Sequence, residues 1–387
     1  MQEVLLEGGA LEIRGALDID RTATGISLRR LPAWTRPQLS DPFMEAMVTM
    51  ASGMRVRFRT NSARVELDLA TTQITFEGKD HVDPAFELRI DGVFVSHANA
   101  HGGTQIVVER GGVGNISVIP GTATTVVFDG LAATEKDCEI WFPSDASVEL
   151  RAVKIDATAT LAAYSIRQPR WVHYGSSISH CMDVDRPSDV WPTIAAGIAG
   201  VDVQNLGLAG QCHLDPFMGR VIGDQDAEFI SLKLGINLVN AASMTQRTFG
   251  PAVHGLLDTI RERRADTPIL VVSPIFCPLA EKHVGPTVPR GLDVFEVLDL
   301  PIEIRALGLT LQHIRTTLAS IVERRRGAGD NNLHYLDGLE LFGEADQADL
   351  YDRLHPNPAG YRRIGERFAA AAFGGEGPFS QRVSQRV

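Results

Sequence analysis

The chain has 387 residues, 44% apolar and 22% charged, and its 37 Lys and Arg against 48 Asp and Glu leave a net charge of -11. Such a length predicts two domains, each with its own core, and an acidic surface disfavours phosphate backbones and anionic lipid, so neither nucleic acid nor membrane is an expected partner. No apolar run approaches the ~20 residues of a membrane helix, residues 1–18 place no basic segment ahead of an apolar core, and four cysteines without a C-x-x-C pair predict reduced thiols and a cytoplasmic setting.

Residues 3–156 are a series of short alternating runs, "ALEIRG", "GMRVRFRT", "ARVELDL", "FELRIDGVFV", "TQIVVER", "NISVIPG", "TTVVFDG" and "VELRAVKID". Turn signals separate them, at Asp91-Gly92, Gly111-Gly112 and Gly121. The period of two predicts antiparallel strands in an all-β sandwich, jelly-roll-like, over residues 1–160. Within it "ERGGVGN", residues 109–115, reads as a glycine-rich hairpin turn, and the chain holds no P-loop. Trp34, Phe58, Phe76, Phe94 and Trp141 are scattered singly, which predicts packing or pocket shaping rather than a stacking platform.

The small-residue stretch "ATATLAAYS" and Gln168-Pro169 mark the crossing into a second unit, residues 168–374. There the runs "RWVHYG", "VDVQNLG", "FISLKLG", "PILVVSP" and "LHYLDG" alternate with connections long enough to hold helices. That is the pattern of an α/β domain whose parallel sheet is covered on both faces. Leu307, Leu311, Ile314, Leu318 and Ile321 recur at steps of four and three and predict one helix. Residues 280–301, rich in Pro, Gly and charge, read as a surface loop or as a lid over the sheet edge. Residues 375–387 read as a frayed tail.

Ligands of a parallel α/β sheet meet the carboxyl ends of its strands. Those ends carry Gly175-Ser176-Ser177, "NLGLAGQ" at 205–211, "LGINL" at 234–238 and, late in the domain, "YDRLHPNPAGY" at 351–361. Of the eleven histidines only His355 has an Asp three positions ahead, Asp352. A carboxylate that close can hold Nδ1-H and leave Nε2 facing a hydroxyl. Asn357 is placed to cap a helix begun by Pro358, with Tyr361, Ile364 and Phe368 on its apolar face. A serine becomes a useful nucleophile when a base takes its proton and fixed donors await the oxyanion, and the Gly210 N–H and the Asn237 amide are candidate donors. Taken singly, each element has a plainer reading: a turn serine, a tight bend, a helix cap, a surface ion pair.

Together and in this order, the four blocks resemble the SGNH hydrolases, also called the GDSL esterase and lipase superfamily, over residues 170–373. The resemblance implies a flavodoxin-like three-layer fold of about five strands. It also implies Ser177 as nucleophile, His355 as base, Asp352 as its carboxylate, and an oxyanion hole from the Ser177 and Gly210 N–H groups and the Asn237 side chain. Ser176 stands where the family name implies Asp, and Leu238 where an Asp follows the asparagine. Ser179, rather than Gly, two positions after Ser177 leaves the α/β-hydrolase nucleophile elbow incomplete. Ser176, His180 and His213 are expected to line the substrate mouth, and Cys181 and Cys212 to be buried packing residues. No H-E-x-x-H or comparable cluster is present, so no metal or cofactor is expected. The β-sandwich ahead of an SGNH half resembles a group of esterases and acyltransferases that includes one acting in tetracycline biosynthesis. The first expectation is hydrolysis of a small-molecule or carbohydrate acyl ester. The second is transfer of an acyl group from a thioester to an alcohol of a natural product, and the third a carbohydrate-binding protein with a degenerate hydrolase domain.

Overall fold

In this computed structural model, residues 1–39, 41–109, 115–290 and 294–380 are described. Most of the turn expected at 109–115, with its Gly111-Gly112 pair, and the tail beyond residue 380 lie outside them. The chain divides into two compact units, Met1–Arg167 with Met182–Ser188, and Gln168–Cys181 with the residues from Asp189 onward.

In the first unit the strand Val65–Phe76 alternates buried and half-buried positions along most of its length, which is what a strand with one face on a core must do. It lies inside an eight-stranded sheet and pairs antiparallel with Ala146–Ile155. A six-stranded sheet is built around Arg55–Thr60 and Lys136–Trp141. Val56, Phe58, Phe86, Leu88 and Ile140 from the smaller sheet share one core with Leu67, Leu69, Val126, Val148 and Leu150 from the larger, and this makes the unit a sandwich. One pairing departs from the antiparallel expectation, since Thr104–Val108 runs parallel to the end of Val65–Phe76. Between them the chain crosses to the other sheet for the hairpin Ala85–Ile90 and Val93–Asn99, and a strand returning from such an excursion is free to come back in the same direction.

A helix, Pro42–Thr49, also interrupts the all-β expectation; Asp41 caps it by accepting the Met44 N–H at 2.7 Å, and Pro42 occupies the first turn, where a missing N–H costs nothing. Phe58 is core, and Trp141 is buried under the Arg55 guanidinium, 4.2 Å from the ring centroid. Trp34, Phe76 and Phe94 are exposed, so the packing role expected of them is not what they perform. Residues 182–188 group with the sandwich, where the Ser188 N–H donates to Glu87 Oε2 at 3.1 Å.

The second unit holds five parallel strands, β1 (Arg170–Gly175), β2 (Asp202–Gly207), β3 (Phe229–Lys233), β4 (Ile269–Val272) and β5 (Leu333–Leu336), in the order β2-β1-β3-β4-β5. Its longer helices are α1 (Trp191–Ala199), α2 (Pro216–Asp224), α3 (Gln246–Arg261), α4 (Leu311–Gly327) and α5 (Pro358–Phe368). α1 packs on α5, while α2 and α4 pack on α3; right-handed crossovers from this strand order put the two groups on opposite faces, the flavodoxin-like, three-layer SGNH arrangement. The strand order reverses at β1, so the loops after β1, β2 and β3 flank the crevice where such sheets bind ligands.

Three local expectations are corrected. The helix begins at Leu311, because the Thr310 hydroxyl caps it by accepting the His313 N–H at 3.1 Å, and Leu307 lies outside, exposed. Residues 280–301 are not plain loop, since Thr287–Pro289 and Phe295–Val297 pair as a short antiparallel hairpin. The tail is docked as far as Phe379, which is fully buried between Phe229 and Phe373 at centroid distances of 5.0 and 5.1 Å, its N–H held by the Ala372 carbonyl. Among the described residues no helix is long and apolar enough to cross a membrane.

The sandwich core supplies a direct test. Phe86 is fully buried, edge-on to Phe142 at 5.3 Å, so Phe86→Ala should cost about 3–5 kcal/mol. Denaturant unfolding of the variant should show a lowered midpoint with an unchanged slope in the sandwich transition.

Candidate active site

β1 ends in Gly175, and the chain turns at once into a single helical turn, Ser177–His180. Ser176 caps that turn, its hydroxyl accepting the Ile178 N–H at 3.4 Å, a task Asp performs equally well. The departure from the family name at this position therefore preserves the local fold. Cys181 closes the turn in the left-handed region at φ 56°.

The loop after β2 is fastened to this turn. The Leu208 N–H donates to the Gly175 carbonyl at 2.9 Å, and the Asn205 amide spans the gap, donating to the Ser179 carbonyl and accepting the Gly207 N–H, both at 2.9 Å. Approach is so close that a Cβ on Gly207 would lie 2.5 Å from the His180 nitrogen, which only glycine permits.

The loop ahead of α5 is ordered by Asp352, whose Oδ1 accepts the N–H groups of Leu354 (2.9 Å) and His355 (2.6 Å). Its Oδ2 accepts Nδ1-H of His355 at 2.6 Å, which leaves Nε2 as the acceptor for the Ser177 hydroxyl at 2.9 Å. Burial alone would push the Asp352 carboxyl up. The hydrogen bond to His355, the attraction of that ring when it is protonated and the two backbone donors outweigh burial and hold the carboxyl below the ordinary range. Asn357 caps α5 by accepting the Gly360 N–H at 2.9 Å, and Tyr361, Ile364 and Phe368 bury its apolar face.

Gly210 follows β2 with φ 68°. Its carbonyl accepts from Nε2-H of His213 at 2.9 Å, which leaves Nδ1 of that ring to accept the Ser243 hydroxyl at 2.9 Å. Asn237 begins its duty through its oxygen, for Oδ1 accepts the Cys212 N–H at 3.0 Å and thereby leaves Nδ2 as the free-facing end of the amide. His213 thus holds the Gly210 peptide instead of simply lining a mouth. His180 is buried, with Nδ1 accepting the Ala209 N–H at 3.3 Å, and Ser176 is buried as the cap just described. The lining role expected of these two side chains is not what their burial allows. All four cysteines are unbridged and buried, and burial pushes the Cys212 thiol up to about 12, far from a nucleophile's range.

Beneath the Ser177 turn lies a polar row that the motif reading passes over. Asn205, His173 and Ser231 occupy matching positions on β2, β1 and β3. Trp171 Nε1-H donates to Ser231 Oγ at 2.8 Å, the Ser231 hydroxyl donates to His173 Nδ1 at 2.7 Å, and His173 Nε2-H donates to Ser179 Oγ at 2.8 Å. Burial, followed by the nearby Lys233 cation, drives His173 far below its ordinary value, so the ring is neutral. The signal for this row was a polar residue at a buried position in each of three neighbouring strands. Two more side chains, neither given a role in the sequence, contact His355 itself: Tyr351, stacked at 6.3 Å, and Phe295 of the hairpin, edge-on at 5.9 Å.

Among the described residues no group of three or more His, Cys, Asp or Glu side chains is placed to hold a metal ion. The fold is that of an SGNH-type enzyme, hydrolase or acyltransferase. More particularly, residues 173–363 match the model of the GDSL-like lipase/acylhydrolase family. The salicylyl-acyltransferase SsfX3 from a tetracycline biosynthetic pathway is similar to this chain with a TM-score of 0.78 and 25% identity, over 95% of each chain. A candidate GDSL-like lipase from Bacteroides ovatus is similar with a TM-score of 0.65 and 18% identity, over 94% of this chain and 95% of its own. A family two carbohydrate esterase from Clostridium thermocellum, solved in complex with cellohexaose, gives 0.60 and 13% over 94% and 98%. These last two likenesses speak for the fold alone. No curated protein matches the sequence.

The neutral His173 predicts a pH effect with a definite sign. The folded ring binds no proton, whereas the unfolded ring binds one below its usual value of about 6.5, so acid favours unfolding and stability falls as pH drops through that value. The slope is about 1.4 kcal/mol per pH unit below it for one proton. Urea unfolding of the α/β unit between pH 7 and pH 5 should show this decline, and His173→Asn should flatten it.

Proposed function

We propose that this enzyme transfers acyl groups through a covalent ester on Ser177. The observation that carries the reading is the unbroken chain Ser177–His355–Asp352, with contacts of 2.9 and 2.6 Å and every tautomer assigned by its partner. His355 Nε2 takes the Ser177 proton as Oγ attacks an ester or thioester carbonyl carbon. The carbonyl oxygen becomes an oxyanion held by the Ser177 and Gly210 N–H groups and by Asn237 Nδ2. As the tetrahedral adduct collapses, the imidazolium returns its proton to the departing alkoxide or thiolate. A second nucleophile, water or an alcohol, then gives its proton to Nε2 as it attacks the acyl-enzyme, and collapse of that adduct breaks the bond to Ser177 Oγ, which takes the proton back from the imidazolium.

With water as that nucleophile the protein is a carboxylic ester hydrolase acting on a small-molecule or carbohydrate acyl ester. With an alcohol it is an acyltransferase, a reading favoured by the likeness to the salicylyl-acyltransferase across both units of the chain. An intact Ser177–His355–Asp352 arrangement speaks against a degenerate hydrolase kept only for binding sugar. Four buried, unbridged thiols support a reducing, cytoplasmic setting.

Intact mass after brief exposure to short-chain p-nitrophenyl esters and acyl thioesters should show one acyl adduct, mapped to Ser177. Ser177→Ala should carry none, and His355→Ala should acquire it far more slowly. An adduct on any other residue would overturn the proposal. Removal of one oxyanion donor, Asn237→Ala, should lower kcat by about 100-fold or more, a loss of about 3 kcal/mol in transition-state stabilisation.

A further inference from the structure

Both halves of the proposed reaction pass a proton through His355 Nε2. The oxygen of the alcohol, leaving in one step or attacking in the other, must therefore come within hydrogen-bond reach of Nε2. Whatever surrounds this imidazole bears on which alcohol can approach it. Two aromatic rings contact it: Tyr351 stacks on the imidazole at an interplanar angle of 24°, and Phe295 meets it at 69°. Tyr351 is 40% exposed and Phe295 is half-buried, so each keeps apolar surface on offer to a ligand.

The placement is built into the backbone. The Tyr351 N–H donates to the His355 carbonyl at 3.1 Å, so Tyr351 belongs to the same tight loop as the imidazole. Phe295 pairs with Pro289 in the hairpin, and its N–H reaches the Asp352 carbonyl at 3.5 Å. At the hairpin's base Gly285 rests on the helix Ile236–Asn240, where a Cβ would lie 1.9 Å from the Val239 carbonyl oxygen. The hairpin is thus tied at one point to the helix that carries Asn237 and at another to the loop that carries His355. Alternation along Phe295–Val297 turns Glu296, paired with Arg290 at 3.0 Å, to the face opposite Phe295.

We propose that Phe295 and Tyr351 form the alcohol subsite and that the alcohol is an apolar ring compound, a proposal that rests on the acyl-enzyme reading above. Rings at centroid distances of 4.5–7 Å attract one another beyond their burial, and an apolar ring seated there excludes the water that would otherwise take the acyl group. This subsite turns the enzyme toward transfer.

The test loads the protein with an acetyl thioester, so that no ring leaving group occupies the subsite, and records the Ser177 adduct by mass. The adduct is then chased with equal concentrations of benzyl alcohol and methanol, and the two acetate esters are quantified. The wild type should favour the benzyl ester by about tenfold, the ratio that ~1.4 kcal/mol of ring contact gives. Phe295→Leu, which keeps an apolar side chain of foldable size, should bring the ratio toward one, as should Tyr351→Leu, while Phe295→Tyr should restore it. A wild-type ratio near one, or a ratio that Phe295→Leu leaves unchanged, overturns the alcohol subsite while the acyl-enzyme stands. Absence of a Ser177 adduct overturns the acyl-enzyme reading and this proposal with it.

Discussion

The 2.9 Å hydrogen bond from Ser177 Oγ to His355 Nε2 joins points 178 residues apart, and the architecture of the α/β unit can be understood as the means of making it. A hydrogen bond of this kind contributes only about 1 kcal/mol net, too little to draw the two loops together. Burial of apolar side chains, at roughly 1.5–3 kcal/mol for each large one, is what brings them to the same place. β1 is fixed within a sheet whose strands are buried on both faces, and α5 is pinned by Tyr361, Ile364 and Phe368, all fully buried. Phe368 stacks on Trp171 of β1 with centroids 5.0 Å apart, so the helix behind His355 is packed directly on the strand that leads to Ser177.

The same logic governs the candidate oxyanion donors. Both Gly210 and Asn237 are held by neighbouring groups. Gly210 is steadied through its carbonyl by His213 and Ser243, and Asn237 through its oxygen by the Cys212 N–H. Because Cys212 follows Gly210 by two residues, the two donors are tied to one loop. Donors held this way need no reorganisation when negative charge develops, which is the condition under which such groups are most effective.

Much of this was legible in the sequence. The five runs read as strands fell on the five strands, since a strand covered on both faces is largely apolar. Asp352, His355, Asn357 and Pro358 stood in a spacing that encodes a tight loop and a helix start. What could not be read depended on partners distant in the chain. The row Asn205, His173, Ser231 becomes meaningful only when the strand order brings the three side by side. His180 looked like a mouth residue because nothing local reveals that the loop after β2 lies over it, and "GGEGPFSQRV" looked like a free end because one phenylalanine, Phe379, finds its slot between Phe229 and Phe373. In the sandwich, Pro42–Thr49 was hidden by its shortness amid alternating runs.

The backbone contact at Gly207 has a bearing on how such a protein can change. Two main-chain segments that touch without room for a methyl group leave no slack for variation, so the loops after β1 and β2 are confined to a single arrangement whatever compound is processed. The strands Thr287–Pro289 and Phe295–Val297 lie outside that contact and meet the site through Gly285 and Phe295 instead. Redesign for another compound is therefore better directed at side chains of these two strands than at the loops after β1 and β2.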